Sequence, residues 1–207
     1  ADEIWIGARD MNNTAQLFYD GLMSGTNIFN TALSATEVSE LYAIDKRSSI
    51  SGHSKFSNCV GSWLMGAGTG DTTSTIQDQT SNNNDATVSG ANLIGYNDGT
   101  VAGDPASIIV PEGLNEGRDS QGYYLTDTDS ISSGIRFKGA EYINVQDSES
   151  LDFGTSDFTL ECWLKTTDQG FVRILDKRNS SSGYTLNLNT SEVVHLELND
   201  GSGNTGF

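Results

Sequence analysis

The sequence predicts an all-β fold, an antiparallel sandwich with one short capped helix near the N-terminus. Three observations predict it. Short apolar runs recur about every 8–12 residues, with Gly, Asn, Asp and Ser between them, which is the spacing of strands joined by tight turns. Phe158-Thr-Leu160-Glu-Cys162-Trp-Leu164 alternates cleanly, so Phe158, Leu160, Cys162 and Leu164 share one face. The 207 residues contain 23 Gly and only 2 Pro, a composition rich in turn formers that leaves strands uninterrupted.

The elements follow in order. Ile4-Trp5-Ile6-Gly7 is a short strand ending in glycine, and residues 11–16 are a polar loop. Residues 17–30 form an apolar strand through Leu17, Phe18, Tyr19, Leu22, Ile28 and Phe29, with a turn signal at Tyr19-Asp20-Gly21. Ser34-Ala-Thr-Glu37 matches the capping box, in which Ser34 and Glu37 satisfy each other's backbone N–H groups. Leu33 and Val38 occupy the staple positions, and Val38, Leu41 and Tyr42 make an apolar stripe. A helix of about ten residues is marginal alone in water, so this one is expected to dock on a sheet.

Residues 46–54 are polar and aperiodic and read as a linker. Val60–Met65 is a strand centred on Trp63. The glycine-rich Gly66–Asp71 lacks the Lys-Ser/Thr of a phosphate-binding loop and precedes no helix, so it reads as a turn. Ile76–Asp85 is built for turns, and Ala86–Ala91 is a short strand. Residues 95–122 are a long polar stretch with one apolar island, Ile108-Ile109-Val110, a length usually reserved for functional or mobile loops. Seven further strands are expected at Gly122–Leu125, Ile131–Phe137, Tyr142–Val145, Phe158–Lys165, Phe171–Asp176, Tyr184–Leu188 and Val193–Leu198.

The 28 acidic and 11 basic residues give a formal net charge of −17. Such a surface repels phosphate backbones, which argues against nucleic-acid binding, and it suits solubility or divalent cations. Cys59 and Cys162 each lie inside an apolar run and read as buried free thiols rather than a disulfide framework. His53 and His195 are scattered, without zinc-ligand spacing. No apolar run approaches the roughly 18 residues of a membrane span.

Two sets of residues carry a resemblance. Ile135–Val145, Leu151-Asp152-Phe153 and Asp157–Lys165, together with Trp63–Gly66 and Asp78–Asp85, resemble the first two-thirds of a laminin-G-like, concanavalin A-like jelly roll. Residues 4–7 and 17–42, with Asn27–Ser34 and Glu37–Tyr42, resemble its last third. The order is reversed, and the family's middle strands, a Trp-His-His-Val strand and a Tyr-Val-Asn-Gly hairpin, are absent. Two organisations follow. In one, residues 1–45 close one jelly roll, 46–54 link, and 55–207 open an incomplete second one. In the other, a single jelly roll is circularly permuted. The first is preferred because permutation still lacks the middle strands. In either case open sheet edges are expected, to be completed by neighbouring protein chains of an assembly or by further parts of the same protein.

Candidate chemistry is limited. A retaining glycosidase needs two carboxylates about 5 Å apart. The nearest candidates, Glu192 with Glu197 and Glu197 with Asp200, form no Glu-x-Asp-x-x-Glu array, so no enzyme is expected. Asp78, Asn82, Asn84 and Asp85 supply hard oxygens in a short turn, a candidate calcium site or equally an Asx-turn with solvated side chains. The resemblance implies calcium near this region. It also implies an acidic residue in the closing strand, where this chain has Met23-Ser-Gly-Thr26. Glycan binding would use exposed loop aromatics, with Tyr96, Tyr123, Tyr124 and Tyr184 as candidates, whereas Trp5, Trp63 and Trp163 read as core or inter-sheet packing. Trp63–Asp71, Thr75–Asp78 and Ile28–Ser34 look like laminin-G-like domains of tailed-bacteriophage virion proteins. That likeness implies a non-enzymatic structural or adhesion module in a virion, as capsid decoration or tail appendage. The alternative is a secreted or cell-surface carbohydrate-binding module of a larger enzyme or adhesin.

Overall fold

The computed structural model describes residues 3–11, 14–44, 48–90, 92–94, 134–166, 170–178, 182–191, 193–199 and 204–206. In chain order the first elements are β1 (Ile4–Ile6), β2 (Arg9–Asp10), β3 (Ala15–Gln16), β4 (Asp20–Phe29) and helix α1 (Ala35–Ala43). Next come β5 (Cys59–Trp63), β6 (Thr75–Ile76), β7 (Ala86–Ser89), β8 (Asn92–Ile94), β9 (Gly134–Lys138) and β10 (Tyr142–Val145). The last are β11 (Thr159–Lys165), β12 (Val172–Arg178), β13 (Gly183–Leu188), β14 (Val194–Asn199) and β15 (Asn204–Gly206). The expected strand at 122–125 and the apolar island at 108–110 lie outside the described residues.

Among the described residues the strands form an all-β sandwich of two antiparallel sheets and a small hairpin. The large sheet runs β15-β14-β13-β12-β1-β10-β7-β6. The small sheet runs β11-β4-β9-β8, with β5 also on β4, and β2 pairs β3. β4 organises the small sheet. From Leu22 to Phe29 it pairs β11 on one side, while its first half meets β9 and its second half β5 on the other. The turn expected at Tyr19–Gly21 is instead the start of β4. The bend falls earlier, at Leu17 (φ 52°), where the backbone leaves the hairpin.

The first 45 residues are not a separate unit. β1 lies between β10 and β12, and β4 joins β5, β9 and β11, so both sheets are shared between residues 1–45 and 55–207. Residues 48–54 of the stretch expected as a linker are also structured. Residues 50–52 form a 3-10 turn with Ile50 buried, and His53 is buried beside it.

Between the sheets Ile4, Ile6, Met23, Ile28, Trp63, Ile135, Phe137, Ile143 and Val145 form the core. Phe153, Phe158 and Tyr184 stack at one end, with ring centroids 4.9–5.4 Å apart. Trp63 is core, as expected. Gly7 (φ 83°) turns the chain out of β1, and its N–H donates to the Ile174 carbonyl at 2.9 Å. A Cβ there would collide with the Phe137 ring.

A second, smaller core lies outside the small sheet. Phe29, Leu41, Ile50 and Cys59 meet there, with Leu33, Ile44 and Phe56 around them. The capping box forms as read: the Glu37 N–H donates to Ser34 Oγ and the Ser34 N–H to Glu37 Oε2. Docking is narrower than the expected stripe, because Leu41 is buried while Val38 and Tyr42 are 50% and 74% exposed. The buried His53 substitutes for them as an anchor. Its Nδ1 accepts from the Lys55 N–H, which leaves Nε2–H to donate to the Glu37 carbonyl of α1 at 2.9 Å.

Candidate functional site

Strand alternation sends Ile4, Ile6, Ile143, Val145, Leu175, Tyr184 and Leu188 inward. Their alternates make the outer face of the large sheet, and register aligns them across seven strands. Thr75 opposes Thr87, Thr87 opposes Asn144, and Asn144 opposes Trp5. Trp5 opposes Asp176, Asp176 opposes Thr185, and Thr185 opposes Glu197. A second row sets Arg173 against Asn187 and Asn187 against His195. Arg173 and Asp176 share a face despite a spacing of three because the β12 register shifts between Arg173 and Leu175. Such a bulge re-aims a side chain that strict alternation would bury in the core.

The face carries an ion-pair network. Arg173 Nη1 donates to Thr185 Oγ1 at 3.0 Å and lies 3.5 Å from Glu197 Oε2. Arg178 Nη1 lies 3.3 Å from the same oxygen. Asp176 Oδ2 is 3.5 Å from Arg173 Nε and 3.6 Å from Arg178 Nη2. β2 packs against β12, and Arg9 acts electrostatically on both Arg173 and Asp176. Burial pushes the Asp176 carboxyl up to about 6 although the arginines oppose the shift, and burial lowers Arg173.

Ten buried side-chain atoms among the described residues have no hydrogen-bond partner, and seven belong to this face or to β2. They are Trp5 Nε1, Asp10 Oδ1, Arg173 Nε, Asp176 Oδ2, Arg178 Nη2 and both amide atoms of Asn187. Asn187 is 0%, Asp176 2% and Arg173 3% exposed, so bulk water does not serve them. A buried polar group left unpaired costs about 1–3 kcal/mol, and Arg173 Nε, Arg178 Nη2 and Asp176 Oδ2 limit that cost by meeting one another as ion pairs at 3.5 and 3.6 Å. Beside this network Trp5 stacks on the half-buried Tyr142 with ring centroids 4.4 Å apart. Asp176 and Glu197 are separated by a whole strand, roughly 9–10 Å between backbone positions. Both are held by the same guanidinium groups, Arg173 and Arg178.

The four residues read as a calcium site do come together, as a hydrogen-bonded brace. Asp78 Oδ1 accepts from the N–H groups of Ser62 and Thr80, and Oδ2 from the Asn84 N–H and the Thr80 hydroxyl. Asp85 Oδ1 accepts from the Asp78 N–H. Asn82 and Asn84 turn their Nδ2 groups, not their oxygens, to the Val60 carbonyl. Among the described residues no group of three or more His, Cys, Asp or Glu is arranged to hold a metal. Asp71 plays the same bracing role in the glycine-rich turn, accepting from the N–H groups of Gly66, Gly68 and Gln77.

The aromatic expectations need correction. Tyr184 is 5% exposed and its hydroxyl donates to the Leu151 carbonyl, so it is a core residue rather than a loop platform. Tyr96, Tyr123 and Tyr124 lie outside the described residues, as do Glu192 and Asp200. Trp5 is buried, at 7% exposed, but outside the cluster between the sheets, and Trp163 is only partly buried. Trp5 is on the polar face, and Trp163 lies on the outer side of the small sheet, 5.4 Å from the Tyr42 ring. Both cysteines are free, with thiols pushed up to about 12 by burial. The polar face was missed because β12 reads as an apolar strand. Its signal was the pair of charges, Arg173 and Asp176, inside that strand.

A second polar spot lies beneath α1. Glu161, Asn27 and Ser62 form one row across β11, β4 and β5. Asn27 Nδ2 donates to Glu161 Oε2 at 2.5 Å, and burial pushes the Glu161 carboxyl up to about 7. The cleft above, walled by Leu41, Ile44, Ile50 and Trp163, has room for about one water molecule.

No protein-family model, curated protein or solved structure matches this chain.

Proposed function

We propose that this chain is a non-enzymatic adhesion module that holds a glycan on the outer face of its large sheet. One observation carries the reading: the half-buried Tyr142, stacked on Trp5, lies on the outer face of the large sheet, where Trp5 shares a row with Asn144, Asp176 and Thr185. Sugars present hydroxyls that both donate and accept, and apolar C–H faces that lie on aromatic rings. The laminin-G-like resemblance supports the same reading and favours a phage virion as its setting, with a secreted carbohydrate-binding module as the other. The side chains of Leu160 and Leu164 on β11 are only partly buried, and Val194 on β14 is 52% exposed. This open flank agrees with neighbouring chains completing the sandwich in an assembly.

Glycan-array screening followed by calorimetry tests the proposal. Array binding that falls at least about tenfold in Tyr142→Ala, with unchanged circular dichroism, supports it. Binding retained in full by that variant sends the ligand elsewhere.

A further inference from the structure

We infer that α1 is a pH-governed cover: it stays closed on the small sheet while Glu161 beneath it is protonated, and loosens once that carboxyl ionises.

The first argument is how lightly the helix is held. Leu41 is the buried residue among its nine. Beyond Leu41 it is tied down by His53 Nε2 to the Glu37 carbonyl, and by two surface contacts, Ser54 with Glu40 and Lys55 with Glu37. A helix this short has little stability of its own, so it can open while the sheets stay folded.

The second argument is what an ionised Glu161 meets in the closed state. Asn27 Nδ2 divides its N–H groups between Glu161 and the Gly25 carbonyl. The cleft over the carboxyl has room for about one water molecule. A carboxylate accepts at about four lone-pair sites, so one amide and one water leave it short of donors. Asn27 Oδ1, unpartnered in the same row, is an acceptor and does not help.

The third argument is charge. Leu41 and Ile44, which wall the cleft, are the last turn and C-cap of α1. That is the negative end of the helix dipole, and no basic residue lies in its last turn. The titratable groups around Glu161 are Cys162 on β11, Cys59 on β5, Glu37, Glu40 and Tyr42 on α1, and His53 and Lys55 below the helix. Both thiols are held neutral by burial, Lys55 pairs with Glu37, and Glu40 meets Ser54 and His53. Among the described residues no cation is paired with Glu161; Asp45, Lys46 and Arg47 lie outside them. His53 works in the opposite sense, because its neutral form makes both ring hydrogen bonds.

Hydrogen–deuterium exchange on the whole chain, referenced to the intrinsic exchange rate at each pH, tests this. The α1 amides should exchange well ahead of those of β4. Their opening ratio should rise about tenfold between about pH 6 and pH 8.5 and level off above about pH 7, as linkage gives for a carboxyl at about 7 when closed and 4.5 when open. Glu161→Gln should abolish the rise. If that variant fails to fold, the early exchange of α1 and the levelling-off in the unaltered chain still decide. Protection of α1 that is unchanged or improved at the higher pH overturns the inference. So does exchange of α1 only in step with β4, or a rise that persists in Glu161→Gln.

Discussion

The Trp63 indole N–H donates to the Asn84 carbonyl at 2.8 Å, and the Asn84 N–H donates to the Asp78 carboxylate at 3.0 Å. A core tryptophan is thereby tied to a surface turn through one buried aspartate. Asp78→Ala removes the acceptor of four donors, so it should cost about 2–4 kcal/mol, read as a lower urea midpoint. The same occupancy bears on calcium, since a cation must displace N–H groups from Asp78 to enter. The melting temperature is expected to stay unchanged in millimolar calcium, and a rise of several degrees would show that a cation takes the turn.

Gly7 turns the chain at positive φ directly against Phe137. Gly7→Ala is expected to destabilise by about 2–3 kcal/mol, from backbone conformation and from displacement of the ring. Chemical denaturation checks it, and Gly52→Ala, with open space around its Cβ position, is the matched control.

Leu41 and Val38 separate docking from decoration on α1. Leu41→Ala opens the small outer core and should cost about 2–3 kcal/mol. Val38→Ala, at a half-exposed site, should stay within about 0.5 kcal/mol of the parent. Equal losses would mean that the apolar stripe docks as a whole.

Glu161 and Asp176 are both raised in the folded state, from ordinary values of 4.5 and 3.8 to about 7 and about 6. The folded chain therefore binds their protons more tightly than the unfolded chain does. Their protonation stabilises the fold at low pH, and that contribution is lost as pH rises through about 4 to 7. Between about pH 5 and pH 8 the free energy of unfolding should fall by about 1–3 kcal/mol, with a smaller fall in Glu161→Gln. Urea titrations at the two pH values measure it, and a stability that rises over this range would refute the assignment.

The sandwich and its strands were legible because alternation and turn chemistry are local. Tyr142–Val145 was read with its observed bounds, and β11 to β14 within two residues at each end. The capping box was legible for the same reason. What failed was non-local. Tyr184 was misjudged because nothing adjacent in sequence announces the Phe153 and Phe158 rings that bury it. Val38 and Tyr42 were misjudged because His53, not the full stripe, holds α1 down. The polar face escaped because a single bulge at Arg173–Leu175 sets which charges align, and periodicity cannot place a bulge. Asp78 and its neighbours were located correctly as a cluster. Oxygen-rich composition alone does not say whether the partners are cations or N–H groups.

β1 and β4 leave the ribosome before every strand they pair with. β1 waits for residues 142–145 and 172–178, and β4 for residues 134–138 and 159–165. At roughly 5–20 residues per second that wait is on the order of 10 s. During it Ile4, Ile6 and Met23 have no partner strand, whereas Ile28 and Phe29 have β5 within reach. A nascent chain paused before residue 134 should therefore be a strong client of holdase chaperones, and the same sequence released in full a weak one.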